Sequence, residues 1–405
     1  MSEPNSTTGG PLDGVTVLDA SRVLSGPFCT MQLGDLGAEV VKIERPDGGD
    51  QTRSWSPPEY GDSGEAAYYL STNRNKRSLT LNLASEDGRD VFRDLAEKAD
   101  VVVENFRVGK MAEWDLDYET LSAENPDLVY CSISGYGQDG PHKDRPAYDL
   151  IMQAEGGMMS ITGEQGRPPV RVGVAIADIG AGMYAAQSIL AALFHREFQD
   201  AGGQYIDVAL FEAMVAWQTY MASYYFATGD PPGRMGSKHP TIAPYQAFPT
   251  TDGYIVVAVP SPNLWPRFCR AIDREDLVED PRFETNDDRV TNREELDAIL
   301  EAEFEEYSTA AAKERLDDHG VPASRVNDMA DVFDHPQVLA RGMRQQVDHP
   351  TADEVEMPGS PMNLGDTPTG IDRHPPLLGE HTEEILSEFG FDDETIARFH
   401  ENGVV

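Results

Sequence analysis

The sequence has few cysteines and no spacing typical of metal ligands. Cys29, Cys131 and Cys269 lie far apart and form no CxxC pair. An odd number of widely spaced cysteines argues against a disulfide framework and is typical of reduced thiols in a cytoplasmic protein. The nine histidines form neither an HExxH nor an HxxxH pair. The sequence therefore predicts no metal site.

Positive charge is also scarce. The 405 residues include 32 Lys and Arg against 71 Asp and Glu, which gives a formal net charge of −39. Such a field repels nucleic acids and anionic membranes, so neither is predicted as a partner. The acidic residues are dispersed along the chain, as in proteins adapted to high salt, where screening relieves self-repulsion. The alternative is an acidic protein with no such adaptation.

Long apolar runs are the third absence. No window approaches the roughly 18 apolar residues of a membrane span, and the opening MSEPNSTTGG lacks the basic region and apolar core of a signal peptide. We therefore expect a soluble, cytoplasmic protein. The apolar and aromatic content is typical of a globular chain, and 405 residues exceed what one core usually organises, so two domains are expected.

What is present is a repeated alternation of strand and helix patterns. Residues 14–44 follow a strand, turn, helix, strand pattern. Further strands are predicted at 78–83, 100–105, 128–133 and 204–209, with helices at 86–98, 116–124, 148–159 and 181–198. This alternation predicts an α/β fold with a mostly parallel sheet covered by helices. Ligands of such sheets bind at the carboxyl ends of the strands.

The turn after the first strand is SRVLSGP and not GxGxxG, so a nicotinamide cofactor is not predicted, although the acidic Glu44 ends the second strand. The segment GDPPGRMGSKHPTIAPY predicts a domain boundary. Beyond it, a strand pair near 246–248 and 254–259 and several helices indicate a smaller α+β domain, and two helices are predicted at 380–389 and 393–402. The predicted domains are 1–215, 216–344 and 345–405.

Asp178 is the acidic residue of the stretch RVGVAIADIGAGMYA, where it lies among apolar residues and glycines. An apolar helix pattern follows directly. Aspartate is a favoured helix N-cap, which is one interpretation. The other is a reactive carboxylate, because the amides at a helix start stabilise developing negative charge. The two interpretations are compatible.

Several segments in the same order resemble the class III CoA-transferase family (CaiB/BaiF, formyl-CoA transferase-like), which includes the α-methylacyl-CoA racemases. They are PLDGVTVLDASRVLSGP, NRNKRSLTLNL, DVVVENFRVG, SGYGQDGP, the Asp178 stretch and LLGEHTEEIL. The resemblance implies a large Rossmann-like parallel-sheet domain completed by the C-terminal segment, and a smaller α+β domain. It also implies an interlocked homodimer with active sites between protomers.

By the same resemblance, Asp178 is the nucleophile, a CoA thioester is the substrate, and no cofactor is permanently bound. The family's CoA contacts fall on Arg22, Val23, Ser25, Arg45, Leu81, Asn105, Phe106 and Tyr148. A basic residue of the family is Glu113 here, so Arg107 and Lys110 are expected to bind the CoA phosphates instead. As a carboxylate, Asp178 is expected to be ionised at neutral pH.

Other candidates concern the oxyanion and the substrate. Backbone amides of Gly156, Gly157 or Gly180 are candidate oxyanion donors, and Arg22, Lys238 or His239 is a candidate partner for a distal carboxylate. The acidic composition implies, by resemblance only, the substrates of halophilic archaeal members of the family. These are succinyl-CoA as donor and mesaconate or another small dicarboxylate as acceptor.

Two alternatives remain. A 2-methylacyl-CoA racemase would need a histidine base, but Tyr148 occupies that position. A non-catalytic CoA-binding protein would have no use for a reactive Asp178. Asp149, the next residue after Tyr148, is either a helix cap or the second candidate for the reactive carboxylate.

Overall fold

The computed structural model describes residues 9–199 and 201–405, so most of the polar opening segment lies outside it. The chain forms two compact units. The first comprises residues 1–158, 172–219 and 336–405, and the second comprises 159–171 and 220–335. The predicted boundaries were 215/216 and 344/345. The assignment of 159–171 to the second unit was not predicted, because nothing in its composition separates it from its neighbours.

The first unit contains a six-stranded sheet in which every pairing is parallel. Its strands are β1 (Thr16–Asp19), β2 (Glu39–Glu44), β3 (Lys76–Thr80), β4 (Val101–Glu104), β5 (Val129–Ser134) and β6 (Tyr205–Ala209). They are ordered β3-β2-β1-β4-β5-β6. The predicted α/β fold with a parallel sheet is confirmed. The order reverses between β1 and β4, where loops diverge and leave a crevice.

The helices between residues 25 and 228 connect these strands and lead into the second unit. They are α1 (Ser25–Asp35), α2 (Ala67–Leu70), α3 (Glu86–Ala96), α4 (Lys110–Glu113), α5 (Tyr118–Glu124), α6 (Asp149–Glu155), α7 (Met158–Ile161), α8 (Ile176–Gln199), α9 (Leu210–Ala216) and α10 (Thr219–Thr228), with a 3₁₀ turn at Gln51–Ser54. The single helix predicted at 148–159 is divided into α6 and α7. Gly157 adopts φ +85° between them, a conformation that ends a helix.

The second unit has an antiparallel three-stranded sheet ordered β7-β8-β9. Its elements are β7 (Tyr245–Thr250), β8 (Gly253–Ala258), α11 (Trp265–Ala271), a 3₁₀ turn (Glu275–Leu277), α12 (Asn286–Thr291), α13 (Arg293–Phe304), α14 (Thr309–Asp318), β9 (Ala323–Arg325) and α15 (Met329–Phe333). The aromatic rings of Phe248, Phe268 and Phe304 are buried at its centre. This is the small α+β domain that the sequence predicts.

The C-terminal segment belongs to the first unit. It contains α16 (Pro336–Ala340), the antiparallel hairpin β10 (Arg344–His349) and β11 (Asp353–Pro358), α17 (Thr382–Phe389) and α18 (Asp393–Glu401). The last two helices match their predicted positions to within two residues. The hairpin was not predicted, because its strands, RQQVDH and DEVEMP, are too polar to show a clear alternation.

Both faces of the parallel sheet are covered. On one face, Cys29 and Leu33 of α1 pack with Ala181 and Ile189 of α8. On the other face, residues of α3 and α5 pack with Ile385 of α17 and other residues of the last two helices. The C-terminal helices therefore contribute directly to the core of the large unit.

Helix α8 qualifies the expectation about membrane segments. Among the described residues it is the one helix long and apolar enough to cross a membrane by length and composition, and half of its most apolar window is buried. A helix at the centre of a folded unit meets the same criteria. Its packing against α1 and β5 accounts for its composition.

The segment NRNKRS before and within β3 is buried although it is polar. Arg74 donates two hydrogen bonds to the Asp35 carboxylate, at 2.8 and 2.6 Å, and a third to the carbonyl of Pro358 at 2.7 Å. Lys76 pairs with Asp19 at 3.0 Å, with both side chains fully buried. The strand therefore begins at Lys76 and not at residue 78, because these charges have partners inside the unit.

Candidate active site

A cavity of about 480 Å³ opens in the first unit at the carboxyl ends of β1, β4 and β5. Of the predicted site residues, its lining contains Arg22, Val23, Ser25, Asn105, Phe106, Arg107, Tyr148 and Asp178. These residues come from segments up to about 150 positions apart, and the parallel topology brings them to one edge of the sheet. The cavity is the candidate active site.

The loop after β1 is held in an uncommon conformation. Val23 adopts φ 69°, which is unfavourable for a β-branched residue. Its amide donates to the Asp50 carboxylate at 3.1 Å, and Asp50 is paired at 3.2 Å with the fully buried Lys42. Such strain costs about 1–3 kcal/mol and persists where the surroundings enforce it. The Lys42–Asp50 pair thus shapes the loop that carries Arg22 and leads into α1 at Ser25.

The loop after β4 is joined to the same turn. The Asn105 side chain accepts from the Arg22 amide at 2.8 Å and donates to the Arg22 carbonyl at 2.7 Å. The Arg22 guanidinium lies 4.6 Å from the centre of the Phe106 ring, within cation–π range. Glu104 accepts from the Phe106 amide at 2.8 Å. Burial raises the pKa of Glu104 to about 7, although hydrogen bonds from Ser132 and Phe106 oppose the shift.

Asp178 lies in the first turn of α8, which begins at Ile176. The predicted N-cap role of Asp178 is wrong. Asp149 accepts instead from the amide of Ala177 at 2.9 Å, and its other oxygen accepts from Gln153 at 2.7 Å. Because a carboxylate from another segment binds the first turn of α8, Asp178 is not needed as a cap and its carboxylate faces the cavity.

Glycine places α1 next to Asp178. A Cβ atom on Gly182 would lie 2.6 Å from the carbonyl oxygen of Ser25, so only glycine allows this approach of the two helices. The Ser25 hydroxyl is close enough to the Asp178 carboxylate to lower the pKa of that group. Asn105 lies 3.5 Å from the same hydroxyl oxygen. The predicted CoA-contact residue Ser25 is therefore also a direct neighbour of the nucleophile candidate.

The environment of Asp178 favours its neutral form. Burial and the negative charge of Asp149 raise its pKa to about 7, and the hydrogen bond from Ser25 opposes the shift. The expectation of a fully ionised carboxylate at neutral pH is therefore corrected, because desolvation acts more strongly than this one hydrogen bond. At neutral pH both forms of Asp178 are therefore populated.

This environment predicts the pH dependence of activity. As the candidate nucleophile, Asp178 can attack only in its carboxylate form, so kcat/KM is expected to rise with pH through about 7. In Ser25→Ala the opposing hydrogen bond is lost, so the pKa of Asp178 rises and the acidic limb moves to higher pH. The two profiles, measured from pH 5.5 to 9, check this. Other titrating groups, such as Glu104 and the substrate, are the same in both proteins, so a difference between the two profiles reports Asp178. An unchanged acidic limb would contradict the prediction.

Residues that the sequence did not indicate also surround the site. Tyr68 is close enough to Asp178 and Asp149 that their charges, together with burial as the largest cause, raise its pKa to about 12. Gln51, Lys143 and further residues of the 143–147 segment line the cavity. They lie in a short helix, a 3₁₀ turn and an irregular segment, whose positions follow from tertiary packing, so no periodicity in the sequence indicates them.

Other predicted CoA contacts are placed differently. Leu81 is buried in the core on the α3 face and does not line the cavity. Arg45 also lies outside the lining, but it is close enough that its charge contributes to the lowered pKa of Arg22, for which burial is the largest cause. Arg107 and Lys110 are ion-paired to Glu113 at 2.7 and 2.9 Å. The expectation that these two cations bind phosphate is therefore weakened by their existing partner.

The candidate oxyanion donors are already engaged. The amide of Gly156 donates to Met152 at 2.8 Å, and that of Gly157 donates to Ala154 at 3.3 Å. Gly180 lies in the second turn of α8, where amides bond to the preceding turn. A Cβ on Gly180 would meet the Trp217 ring at 3.2 Å. These glycines serve packing and turns, which corrects their predicted role.

The candidate substrate cations Lys238 and His239 belong to the second unit. Lys238 pairs with Asp297 at 2.7 Å, and the His239 ring stacks on Tyr220 with its centre 6.0 Å away. Burial and the charge of Arg293 lower the pKa of His239, so it is neutral near pH 7. Among residues 9–199 and 201–405, no group of three or more His, Cys, Asp or Glu side chains is placed to hold a metal ion.

Comparisons with known proteins agree with this architecture. The family model described as CoA-transferase family III matches residues 12–382. The chain is 42% identical to human succinyl-CoA:glutarate CoA-transferase over 98% of this chain and 90% of that protein. It is 43% identical to succinyl-CoA:mesaconate CoA-transferase of Haloarcula marismortui, over 95% of this chain and 98% of that protein.

A solved structure shows the same fold. It is a CAIB/BAIF family protein from Brucella suis, 41% identical in sequence, with a TM-score of 0.85 over 94% of this chain and 100% of that one. The family model and these relatives cover nearly all of the described chain. The chain therefore belongs to CoA-transferase family III and is an enzyme of the CoA-transferase class.

Proposed function

We propose that this enzyme transfers CoA from succinyl-CoA to a small dicarboxylate, with Asp178 as the covalent carrier. One observation carries the proposal. Asp178 does not serve as a helix cap, and it faces a cavity at the carboxyl ends of the parallel strands. The names of similar proteins support the substrate class, because they pair succinyl-CoA with glutarate, mesaconate or D-citramalate. We favour mesaconate as the acceptor, because the acidic composition is typical of proteins adapted to high salt and the similar Haloarcula marismortui protein is named for mesaconate.

The first half of the proposed reaction loads CoA onto the enzyme. An Asp178 oxygen attacks the thioester carbon of succinyl-CoA, the C–S bond breaks, and a mixed anhydride and CoA thiolate are formed. The thiolate then attacks the Asp178 carbonyl carbon of the anhydride. The bond from that carbon to the bridging oxygen breaks, succinate leaves, and an aspartyl-CoA thioester remains.

The second half repeats these steps in reverse order. A carboxylate oxygen of the acceptor attacks the carbonyl carbon of the aspartyl thioester, and the C–S bond breaks. CoA thiolate is released, and the acceptor and Asp178 are now joined in a new anhydride. The thiolate attacks the acceptor's carbonyl carbon, giving the new acyl-CoA and free Asp178. The exchange consumes no water, so the free energy of the thioester is retained. Water must therefore be excluded from the anhydride and thioester intermediates, because it would hydrolyse them.

A dicarboxylate acceptor also needs a partner for its distal carboxylate. Arg22 is the candidate that lines the cavity, where it lies against Phe106, and a guanidinium can bind a carboxylate in a bidentate manner. Racemisation is not proposed, because the cavity wall carries Tyr148 where that chemistry requires a histidine base. We also propose that the chain forms an interlocked homodimer. Light scattering in high salt measures the molecular mass and tests whether the protein is a dimer.

The test is an acceptor panel. The protein is incubated in multimolar salt with succinyl-CoA and, separately, mesaconate, glutarate, citramalate, oxalate or acetate, and the acyl-CoA products are measured by mass spectrometry. We expect mesaconyl-CoA or another C4–C5 dicarboxylic acyl-CoA to form together with succinate, and acetate to be inactive. Exchange with no dicarboxylate, or epimerisation of a 2-methylacyl-CoA instead, would refute the proposal.

A further inference from the structure

CoA is a polyanion, because it carries a 3′-phosphate and a pyrophosphate. On a chain with a formal net charge of −39, phosphate is repelled unless cations face it that are not already neutralised by carboxylates. Cationic side chains bind phosphate through charge-assisted hydrogen bonds. The cations around the cavity therefore differ in their capacity to bind CoA according to the partners they already have.

Three cations near the cavity have carboxylate partners. Arg107 and Lys110 share Glu113, at 2.7 and 2.9 Å, and these hydrogen bonds, with that of Lys110 the largest cause, lower the pKa of Glu113. Arg145 pairs with Glu155 at 3.0 Å. A phosphate approaching any of these cations competes with a carboxylate that is already bound.

Lys143 lines the same cavity and differs from these three cations. Arg22, which also has no ion pair among the described residues, lies against the Phe106 ring instead. Lys143 is exposed, and within the described ranges 9–199 and 201–405 no carboxylate lies at ion-pair distance from its ammonium group. Its backbone is fixed, since the amide of Arg145 donates to the carbonyl of His142 at 2.9 Å. That bond closes a turn in which Lys143 and Asp144 are the central residues.

The turn is anchored on both sides. The Arg145 guanidinium lies 5.4 Å from the centre of the Tyr136 ring, in addition to its pair with Glu155. The amide of Gln138 donates to Asp207 at 2.9 Å at the beginning of the segment. This turn thus presents Lys143 at the cavity wall, and the part of the chain that the structure describes supplies no carboxylate partner for it.

Building on the proposed function, we propose that Lys143 binds a phosphate group of CoA. It takes the role expected of Arg107 and Lys110, which are already paired with Glu113. The ligand group is the 3′-phosphate or the pyrophosphate of an acyl-CoA.

The test is calorimetric binding without an acceptor acid, using CoA, 3′-dephospho-CoA and pantetheine at the lowest salt that keeps the protein folded. Lys143→Gln is expected to raise the Kd of CoA about three- to tenfold, the loss of one charge-assisted hydrogen bond in a partly screened position. The Kd of pantetheine, which lacks these phosphates, is expected to stay unchanged. Lys110→Gln is the matched control and is expected to have a smaller effect than Lys143→Gln.

The ligand series separates the outcomes. An effect that disappears with 3′-dephospho-CoA assigns the 3′-phosphate, and one that persists assigns the pyrophosphate; both support the proposal. An unchanged Kd for CoA, or an equal weakening for pantetheine, would overturn it. Because no acceptor is present, failure of the acceptor panel does not affect this result, and wild-type protein that bound no CoA would refute both proposals.

Glu113→Gln tests whether Glu113 is the reason that Lys143, and not Arg107 or Lys110, binds the phosphate. The variant releases Arg107 and Lys110 from their shared partner and is expected to lower the Kd of CoA severalfold. In this background, Lys143→Gln is expected to cost less than in the wild type, since phosphate then has other cations to bind. An equal cost in both backgrounds would contradict the competition between the two positions.

Discussion

Asp178→Asn is expected to reduce CoA exchange by roughly 10⁴-fold or more, the scale seen when a covalent nucleophile is removed. The amide has nearly the same shape as the carboxyl group but lacks a nucleophilic oxygen, so substrate binding is expected to persist. Exchange is followed as dicarboxylic acyl-CoA formation from succinyl-CoA. Mass spectrometry of the protein, quenched after addition of succinyl-CoA, is expected to show a CoA adduct only when Asp178 is present.

Asp149→Asn is the matched control for this prediction. It removes the charge that contributes to the raised pKa of Asp178 and keeps an oxygen able to accept from Ala177. We expect it to retain exchange and to shift the acidic limb of the pH profile to lower pH. Near-normal exchange in Asp178→Asn, with the intact mass excluding deamidation back to aspartate, would move the chemistry to another residue.

Arg74→Met is expected to lower the free energy of unfolding by about 3–5 kcal/mol, the cost of leaving one member of a buried ion pair without its partner. Asp35 and Arg74 are both almost completely buried and are joined by two hydrogen bonds. Denaturant unfolding at fixed salt measures the change. A smaller loss is expected in Asp35→Leu/Arg74→Met, because no charge then remains buried.

Arg93→Met serves as the surface control. Arg93 pairs with Asp90 one helical turn away, in positions more open to solvent. Exposed pairs contribute about 0–1 kcal/mol, so this variant is expected to remain close to the wild type. Equal losses in Arg74→Met and Arg93→Met, or no recovery in the double variant, would contradict the explanation.

The elements that the sequence predicts best are those with strong apolar patterns. The parallel strands and the two C-terminal helices fall within a few residues of their predicted positions, because their burial is visible in local periodicity. Where burial depends on distant partners, local patterns fail. Lys76 and Arg77 begin β3 although they are charged, since Asp19, Glu39 and Glu388 neutralise them.

The sequence indicated which residues line the site better than it indicated which charged side chains pair with one another. Family resemblance placed Asp178, Ser25 and Asn105 at one cavity, and the lining contains them. It did not indicate that Asp149 would take the cap position or that Glu113 would hold both Arg107 and Lys110. These are pairings between side chains, and side-chain pairing follows from three-dimensional placement.

The return of the C-terminal segment to the large unit has a consequence for biosynthesis. Arg74, Asn75 and Arg77 take partners 284 to 311 positions further along the chain. During synthesis, the parallel sheet emerges from the ribosome long before those partners exist. Contacts between such distant positions form slowly, because loop closure must come first. The nascent large unit therefore exposes unmatched charges and apolar surface until residues 358–388 have been synthesised.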